Sequence, residues 1–400
     1  MSWPMVKIGS CIEKIKSWNP LKSADTDSFL YIDLSSVDKD KKEIDLSSVV
    51  SILPSDAPSR ARQLVKANDV LVSTVRPNLN GVALVSESFC GATASTGYCV
   101  LRANAQKLDS RFLFYWVQTQ SFISDMVKKA TGANYPAVSD KIIMDSEIPL
   151  PPLAEQKRIA AILDKADAIR RKRQQAIQLA DDFLRAVFLQ MFGDPVTNPK
   201  GWEVKPLEFF IKNKNDLVDG PFGSSINTQI DYIEDGEIPV IRTKNVTADG
   251  FFNADDLKFM SREKYESVIR SQVLPGDIVL TKVGTIGNVC IFPATFHEAV
   301  LSTTGSCRIR LDLSKINKLY FYFYLKFYKP KMLEIASAGV QPFLNMKHIK
   351  SFMVPLPNLK IQEDFFAIAE KNMNLKAKLA NLANNDLFDA LSEKAFSGQL

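Results

Sequence analysis

Histidine is nearly missing from this chain, with 2 residues among 400, and cysteine is sparse, with 5. His297 and His348 fall at unrelated places, which argues against a histidine metal site or a Ser-His hydrolytic triad shared by both halves. Cys11, Cys90, Cys99, Cys290 and Cys307 are odd in number and widely spaced. That pattern builds neither a disulfide framework nor a zinc ribbon, so reduced thiols are expected, with Cys99 and Cys307 buried in strands. No apolar run approaches the roughly 18 residues that cross a bilayer. The opening MSWPMVKIGS soon meets Lys14 and Lys16 and has no charged-then-apolar leader pattern, so a soluble, cytoplasmic protein is expected. A formal charge of +5 permits a nucleic-acid partner without requiring one. Also missing are the Asp/Asn-Pro-Pro-Tyr/Phe tetrapeptide and glycine-rich turn of an adenine methyltransferase. Asp255-Asp256-Leu257-Lys258 resembles a nuclease carboxylate cluster, but the first half has no counterpart, and a polar loop is expected.

What the chain does have is repetition. PLPPLAEQ at Pro149–Gln156 returns as PLPNLKIQ at Pro355–Gln362, and each copy opens a helical pattern. Other pieces match in the same order: YIDLSSV from Tyr31 with VIRTKNV from Val240, TGYCVLR from Thr96 with TGSCRIR from Thr304, FLFYW from Phe112 with YFYFY from Tyr320, and GANYP from Gly132 with GVQP from Gly339. NDVLVSTVRPNLNGVALV, from Asn68, aligns with GDIVLTKVGTIGNVCIF, from Gly276. A half-chain period is domain-sized, whereas solenoid repeats run about 20 to 50 residues. An apolar fraction of 46% is ample for the cores of two such units.

Within each unit, short Val- and Ile-rich runs bounded by turn residues predict strands, followed by helical stretches from Ser110 and Lys318. The aromatic runs in those stretches read as core, and Asp69 and Asp277 as turn residues before strands. Candidate partner contacts are polar loop residues at matched positions. Arg76, Asn78 and Asn80 face Lys282, Thr285 and Asn288; Asn134, Tyr135 and Lys141 face Gln341 and Lys347; Ser224, Ser225, Lys244 and Asn245 belong to the second unit alone. Arginine and amide side chains can make paired hydrogen bonds to base edges, each worth about 1 to 3 kcal/mol of discrimination.

From Ala154 the chain runs to Gly193 without Pro or Gly, with an apolar seam at Ile159, Ile162, Ala166, Ile169, Ala176, Ala180, Phe183, Val187 and Met191. This predicts a long amphipathic helix of coiled-coil character, about 57 Å long at about 1.5 Å per residue. A second seam carries Ile361, Phe365, Ile368, Leu375, Leu379, Leu382 and Leu391, interrupted by Asn372 and Asp386. The two helices are expected to pack antiparallel, giving approximate twofold symmetry and holding two recognition units about 34 to 36 Å apart, one turn of DNA. Arg170, Arg171, Lys172 and Arg173 sit mid-helix, placed to meet phosphates or an acidic partner.

PLPPLAEQKRIAAILDKADAIRRKR followed by FGDPVTNPKGWEVKPL closely resembles the central region of the specificity (S) subunit of type I restriction-modification systems, and the repeated order extends the resemblance over essentially the whole chain. The resemblance implies an α+β protein with two homologous mixed α/β target recognition domains, 1–147 and 194–353, and two long antiparallel spacer helices, 148–193 and 354–400. It further implies a non-catalytic chain that reads a bipartite double-stranded DNA site, its helices setting the gap and docking two methyltransferase (M) subunits. Restriction (R) subunits would join the complex. S-adenosylmethionine, ATP and Mg would belong to those partners, with no metal or cofactor in this chain. The second helix departs from the pattern, with Lys360 and Ile361 where the first has Ala154 and Glu155. Two other readings are a stand-alone DNA-modifying enzyme and a coiled-coil scaffold that binds no DNA.

Overall fold

A computed structural model describes residues 3–23, 26–132, 134–336, 342–382 and 386–400. The chain divides into two compact units: residues 1–177 with 379–400 form unit 1, and residues 178–378 form unit 2.

The units share three sheets, and unit 1 adds a short ribbon of Val37–Asp38 with Glu43–Ile44. In unit 1 a four-stranded sheet runs Val50–Ile52, Phe29–Ile32, Thr93–Ser95, Ala61–Leu64, parallel in the middle and antiparallel outside. Unit 2 repeats it as Lys258–Met260, Ile238–Ile241, Ala299–Leu301, Gln272–Val273, with the same directions. The second sheet is antiparallel throughout, in the order Ile12–Glu13, Tyr98–Ala103, Val70–Ser73, Val82–Leu84. Its counterpart is Leu217–Asp219, Ser306–Ile309, Ile278–Thr281, Val289–Ile291. A two-stranded ribbon completes each unit, Met5–Lys7 with Glu147–Pro149 and Val204–Pro206 with Met353–Pro355.

The central strands are unbroken apolar runs because both faces of the second sheet are covered. Side chains alternate between faces along a strand. Val70 and Val72 therefore join the cluster under the helices, while Leu71 joins the cluster shared with the first sheet. Ile278 and Leu280 divide from Val279 in the same way. Cys99 and Cys307 are buried strand residues, as the repeat predicts.

Helices α1 (Ser110–Trp116), α2 (Gln120–Lys129) and α3 (Asp140–Asp145) complete the globular part of unit 1. The sequence pattern predicts one helix from Ser110, but the stretch breaks. Thr119 caps α2 by accepting from the Phe122 amide, while its hydroxyl donates to the Trp116 carbonyl at 2.8 Å. A long helix, α4 (Leu153–Phe192), follows. Unit 2 contributes α5 (Arg262–Ser267), where unit 1 has only the 3-10 turn Pro54–Asp56, then α6 (Lys318–Ala336) and α7 (Met346–Lys350). Along the second long pattern lie α8 (Leu359–Leu382) and α9 (Asp386–Phe396), on either side of residues outside the described ones. The aromatic runs are core: Phe112 to Trp116 and Tyr320 to Tyr324 are all buried.

Each compact unit takes in part of α4, and one expectation about that helix changes. Ile159, Ala160 and Leu163 lie in the core of unit 1, and Leu184, Phe188 and Phe192 in that of unit 2. The buried seam is rotated, for Ile169 and Phe183 are exposed while Leu163, Leu184 and Phe188 are buried. The globular cores, and not a partner helix alone, decide which face is covered. Phe188 stacks on Tyr320 and meets Phe365 edge-on, so α4 and α8 pack inside unit 2 through a cluster of rings. The seam of α8 carries Lys376, buried, ion-paired with Asp181 and lying over the Phe251 ring.

The repeated glutamine of PLPPLAEQ and PLPNLKIQ has an internal role. Gln156 and Gln362 are fully buried. Gln156 accepts from the Asp109 amide at 2.8 Å and donates to the Lys107 and Pro151 carbonyls; Gln362 accepts from the Asn317 amide at 2.8 Å and donates to the Pro357 carbonyl. Each glutamine ties the first turn of a spacer helix to the N-terminus of the aromatic helix of its own unit. A buried amide with every partner in place fixes geometry, because leaving one unpaired would cost about 1 to 3 kcal/mol.

Candidate nucleic-acid interface

The central strand of each second sheet runs into a loop held by two equivalent main-chain bonds. The Thr74 amide donates to Gly97 O at 2.9 Å and the Lys282 amide to Gly305 O at 2.7 Å. The Thr74 carbonyl then accepts from Val138 N at 2.9 Å, and the Lys282 carbonyl from Leu344 N at 3.0 Å. In unit 1 this brings the loop after Val70–Ser73 beside the segment ahead of α3. Two of the predicted loops, far apart in sequence, thus form one surface.

That surface carries Arg76, Asn78, Asn134, Tyr135 and Lys141, all exposed. Arg76 N donates to Pro136 O at 2.7 Å, and its guanidinium carbon lies 4.9 Å from the centroid of the Tyr135 ring. In unit 2, Thr285 and Lys347 are exposed, and Gln341 lies outside the described residues. Ser224 and Ser225 are in the 3-10 turn Gly223–Ser225; Ser225 lines a cleft of about 390 Å³ with Phe222, Arg270, Met346 and Lys350.

Other predicted contacts are turned inward. Asn80 is buried, donates to Val117 O at 2.8 Å, and accepts from Lys42 Nζ at 3.0 Å. Asn288 is buried, donates to Val246 O at 3.0 Å, and accepts from Lys329 Nζ at 2.7 Å. Asn245 is buried and donates to Asn253 O at 3.0 Å. Lys282 is buried and ion-paired with Asp219 at 2.7 Å. These groups hold the loops in shape and show little surface to solvent. The hairpin register pairs Val72 with Val82 and Leu280 with Val289, which makes Gly81, and not Asn80, the counterpart of Asn288. Lys244 is exposed and ion-paired with Asp256, which Arg242 also approaches at 3.6 Å. That network gives the Asp255-Asp256 loop its place.

The basic run on α4 divides similarly. Asp167 accepts from Arg170 at 2.6 Å and from Arg171 at 2.6 Å. Arg171 also pairs with Glu43, and Arg170 lies over the Phe388 ring at 5.4 Å, all within unit 1. Lys172 is exposed and Arg173 half-buried. Burial pushes Arg171 below the usual guanidinium range.

Three features escaped the sequence reading. Asp69 and Asp277 do cap turns, accepting from Lys66 N at 2.7 Å and Leu274 N at 2.8 Å. Each is also nearly fully buried and clasped by two nitrogens of an arginine, Arg102 at 2.6 and 2.8 Å and Arg310 at 2.7 and 2.8 Å. The hydrogen bonds to the carboxylates raise both guanidinium pKa values. The repeat offered a signal, since LRA and IRL carry arginine at matched places. Lys42, bonded to Asn80 and lowered by burial to about 8, had no signal at all. Among the described residues no three His, Cys, Asp or Glu side chains gather to hold a metal ion, and no helix is long and apolar enough to cross a membrane.

The loop surfaces sit on a twice-repeated sheet frame, and the family model of the type I restriction modification DNA specificity domain matches that frame twice, over residues 3–179 and 199–385. The chain belongs to this family. Its relatives include the EcoBI specificity subunit of Escherichia coli, 26% identical, with 76% of this chain and 68% of the relative covered. Another is the MjaVIII specificity subunit of Methanocaldococcus jannaschii, 23% identical over 92% of this chain and 85% of the relative. The fold is similar to that of a type I restriction-modification S subunit from M. genitalium, with a TM-score of 0.58, 16% identity, and 99% and 96% of the two chains covered. A chain from a structural study of complex assembly and conformational transition in the type I system gives a TM-score of 0.57 at 24% identity, covering 100% of this chain and 98% of the other. As a DNA specificity domain protein, this chain carries the target-recognition role of a restriction-modification system.

Proposed function

We propose that this specificity subunit reads a two-part double-stranded DNA site, one half per unit, and performs no catalysis itself. The observation that carries this reading is the identity of strand order in the two units beside loops of different chemistry: a shared frame with two different loop surfaces. Helix α4, 40 residues and about 60 Å at about 1.5 Å per residue, contributes to both units and sets the length of the unread gap. Exposed apolar side chains on the long helices, Leu179, Phe183, Phe366 and Leu375 among them, suit docking of two methyltransferase subunits, since apolar surface of this kind marks protein interfaces. Restriction subunits join through that complex. S-adenosylmethionine, ATP and Mg belong to those partners, and the assembly works in the cytoplasm.

The test is an exchange of residues 194–353 for the equivalent segment of another specificity subunit, followed by methylation sequencing of DNA modified by the assembled methyltransferase. One half of the motif should change and the other stay. Change in both halves, or modification without a two-part motif, overturns the reading.

A further inference from the structure

Arg76 occupies a backbone conformation that the fold gives to glycine elsewhere. Its φ is +50°, in the left-handed region, and the residue at the same place in unit 2 is Gly284, with φ +73°. The equivalence is fixed by the paired bonds of the preceding residues to Gly97 and Gly305. A turn of this kind favours glycine because in the left-handed region a Cβ is crowded by the residue's own backbone. The turn alone therefore does not explain an arginine. Strained non-glycine residues held by their surroundings concentrate at binding sites.

The side chain is presented and not consumed. Arg102, Arg111, Arg158 and Arg171 of the same unit are each paired with a carboxylate. Among the described residues nothing accepts from the Arg76 guanidinium; it lies over the Tyr135 ring instead. Tyr135 is itself 69% exposed. A planar guanidinium resting on an aromatic face keeps its N–H fork in one plane, which removes rotamer freedom before binding and leaves all its donors for a ligand. A rigid, coplanar fork matches two acceptors on one edge, and among base pairs in the major groove guanine O6 and N7 form that pair.

We propose that Arg76, shelved on Tyr135, reads one guanine in the half-site of unit 1, with Tyr135 as its positioning residue. The inference rests on the DNA-reading function proposed above. Lys141, exposed on the same surface, would contact phosphate and carry no base preference.

The experiment uses the complete methyltransferase assembly with the full-length chain, comparing the unaltered protein with Arg76→Gly, Arg76→Lys, Tyr135→Phe and Tyr135→Ala. The readouts are methylation sequencing and the thermal midpoint of each purified chain. Glycine suits the local backbone, so Arg76→Gly should fold and melt no lower than the parent. Its motif should lose preference for guanine at one position of one half, by about 10- to 100-fold, the range of a paired base contact. Arg76→Lys keeps the charge but not the fork and should relax the same position. Tyr135→Phe keeps the ring face and should keep the motif, while Tyr135→Ala should relax that position partly. A two-part motif that Arg76→Gly leaves unchanged overturns this inference and spares the proposed function. Uniformly slower modification with the motif intact makes Arg76 a phosphate contact and also overturns it, as does relaxation at a position that is not guanine. If the unaltered assembly shows no two-part motif, both readings fall.

Discussion

The two units solve the same structural problem with different side chains. Both clamp the second sheet with a buried aspartate and an arginine, and both tie a spacer helix to an aromatic helix through a buried glutamine. They part at the loops. Unit 2 closes its loop with the buried Lys282–Asp219 pair and turns on Gly284, while unit 1 has Thr74 in place of the lysine and raises Arg76 on the turn. Charge is internal in one loop and displayed in the other. A frame can be duplicated and kept while its outward residues diverge, because frame residues answer to each other and loop residues answer to a partner.

The largest effect expected within this comparison comes from the shared clamp. Asp69→Ala should cost about 3 kcal/mol, because it strands Arg102 in a largely buried site and uncaps a turn. Asp277→Ala should cost less, since Arg310 is more exposed than Arg102 and can reach water. Urea unfolding of the two variants checks the order, and equal losses would mean that the extra exposure of Arg310 does nothing. A smaller effect separates the turns. Gly284→Ala should destabilise by about 1 kcal/mol through the left-handed backbone alone, there being open space around a Cβ at that place. Arg76→Gly should be neutral or gain a few tenths of a kcal/mol, the relief of strain being partly offset by a floppier unfolded chain. Thermal midpoints of the pair would show whether the two turns are equivalent.

The smallest effect is confined to unit 1 and to alkaline pH. Burial, and secondarily the Arg170 charge, lower Lys42 from 10.5 to about 8. Between those values the unfolded chain holds a proton that the folded chain has released, so the contribution of this site to stability rises with pH across the window. Below pH 8 the full cost of the buried charge is present. Unfolding of the parent and Lys42→Met at a series of pH values should show the parent gaining relative to the variant between pH 8 and 10.5. The buried thiols Cys290 and Cys307, raised to about 12, act oppositely but equally in both proteins and cancel in the difference. A flat difference would mean that Lys42 is solvated.

Much of this protein was legible in one dimension. The doubling, the two-unit plan, the strands, the aromatic cores and the positions of the long helices follow from periodicity, because repeat spacing and apolar alternation are local properties. The family resemblance lay in contiguous residues from Pro149 to Leu207, which the match over both halves bears out. The candidate loops were also visible as polar positions at matched places.

Which members of those loops face outward was not visible. Asparagine and lysine have the same identity whether they meet solvent or a buried carbonyl, and Asn80, Asn288, Asn245 and Lys282 all found internal partners. The rotation of the α4 seam was hidden for a related reason: helical periodicity proposes a face, but the cores of the two units select it. The pairing of Arg76 with Tyr135 needed the Thr74–Val138 bond to bring two distant loops together. Sequence by itself thus determined the family, the repeat and the order of elements, since each is written in neighbouring residues. Only the tertiary structure decided burial, partnership and display, because those depend on contacts between segments that no local pattern encodes.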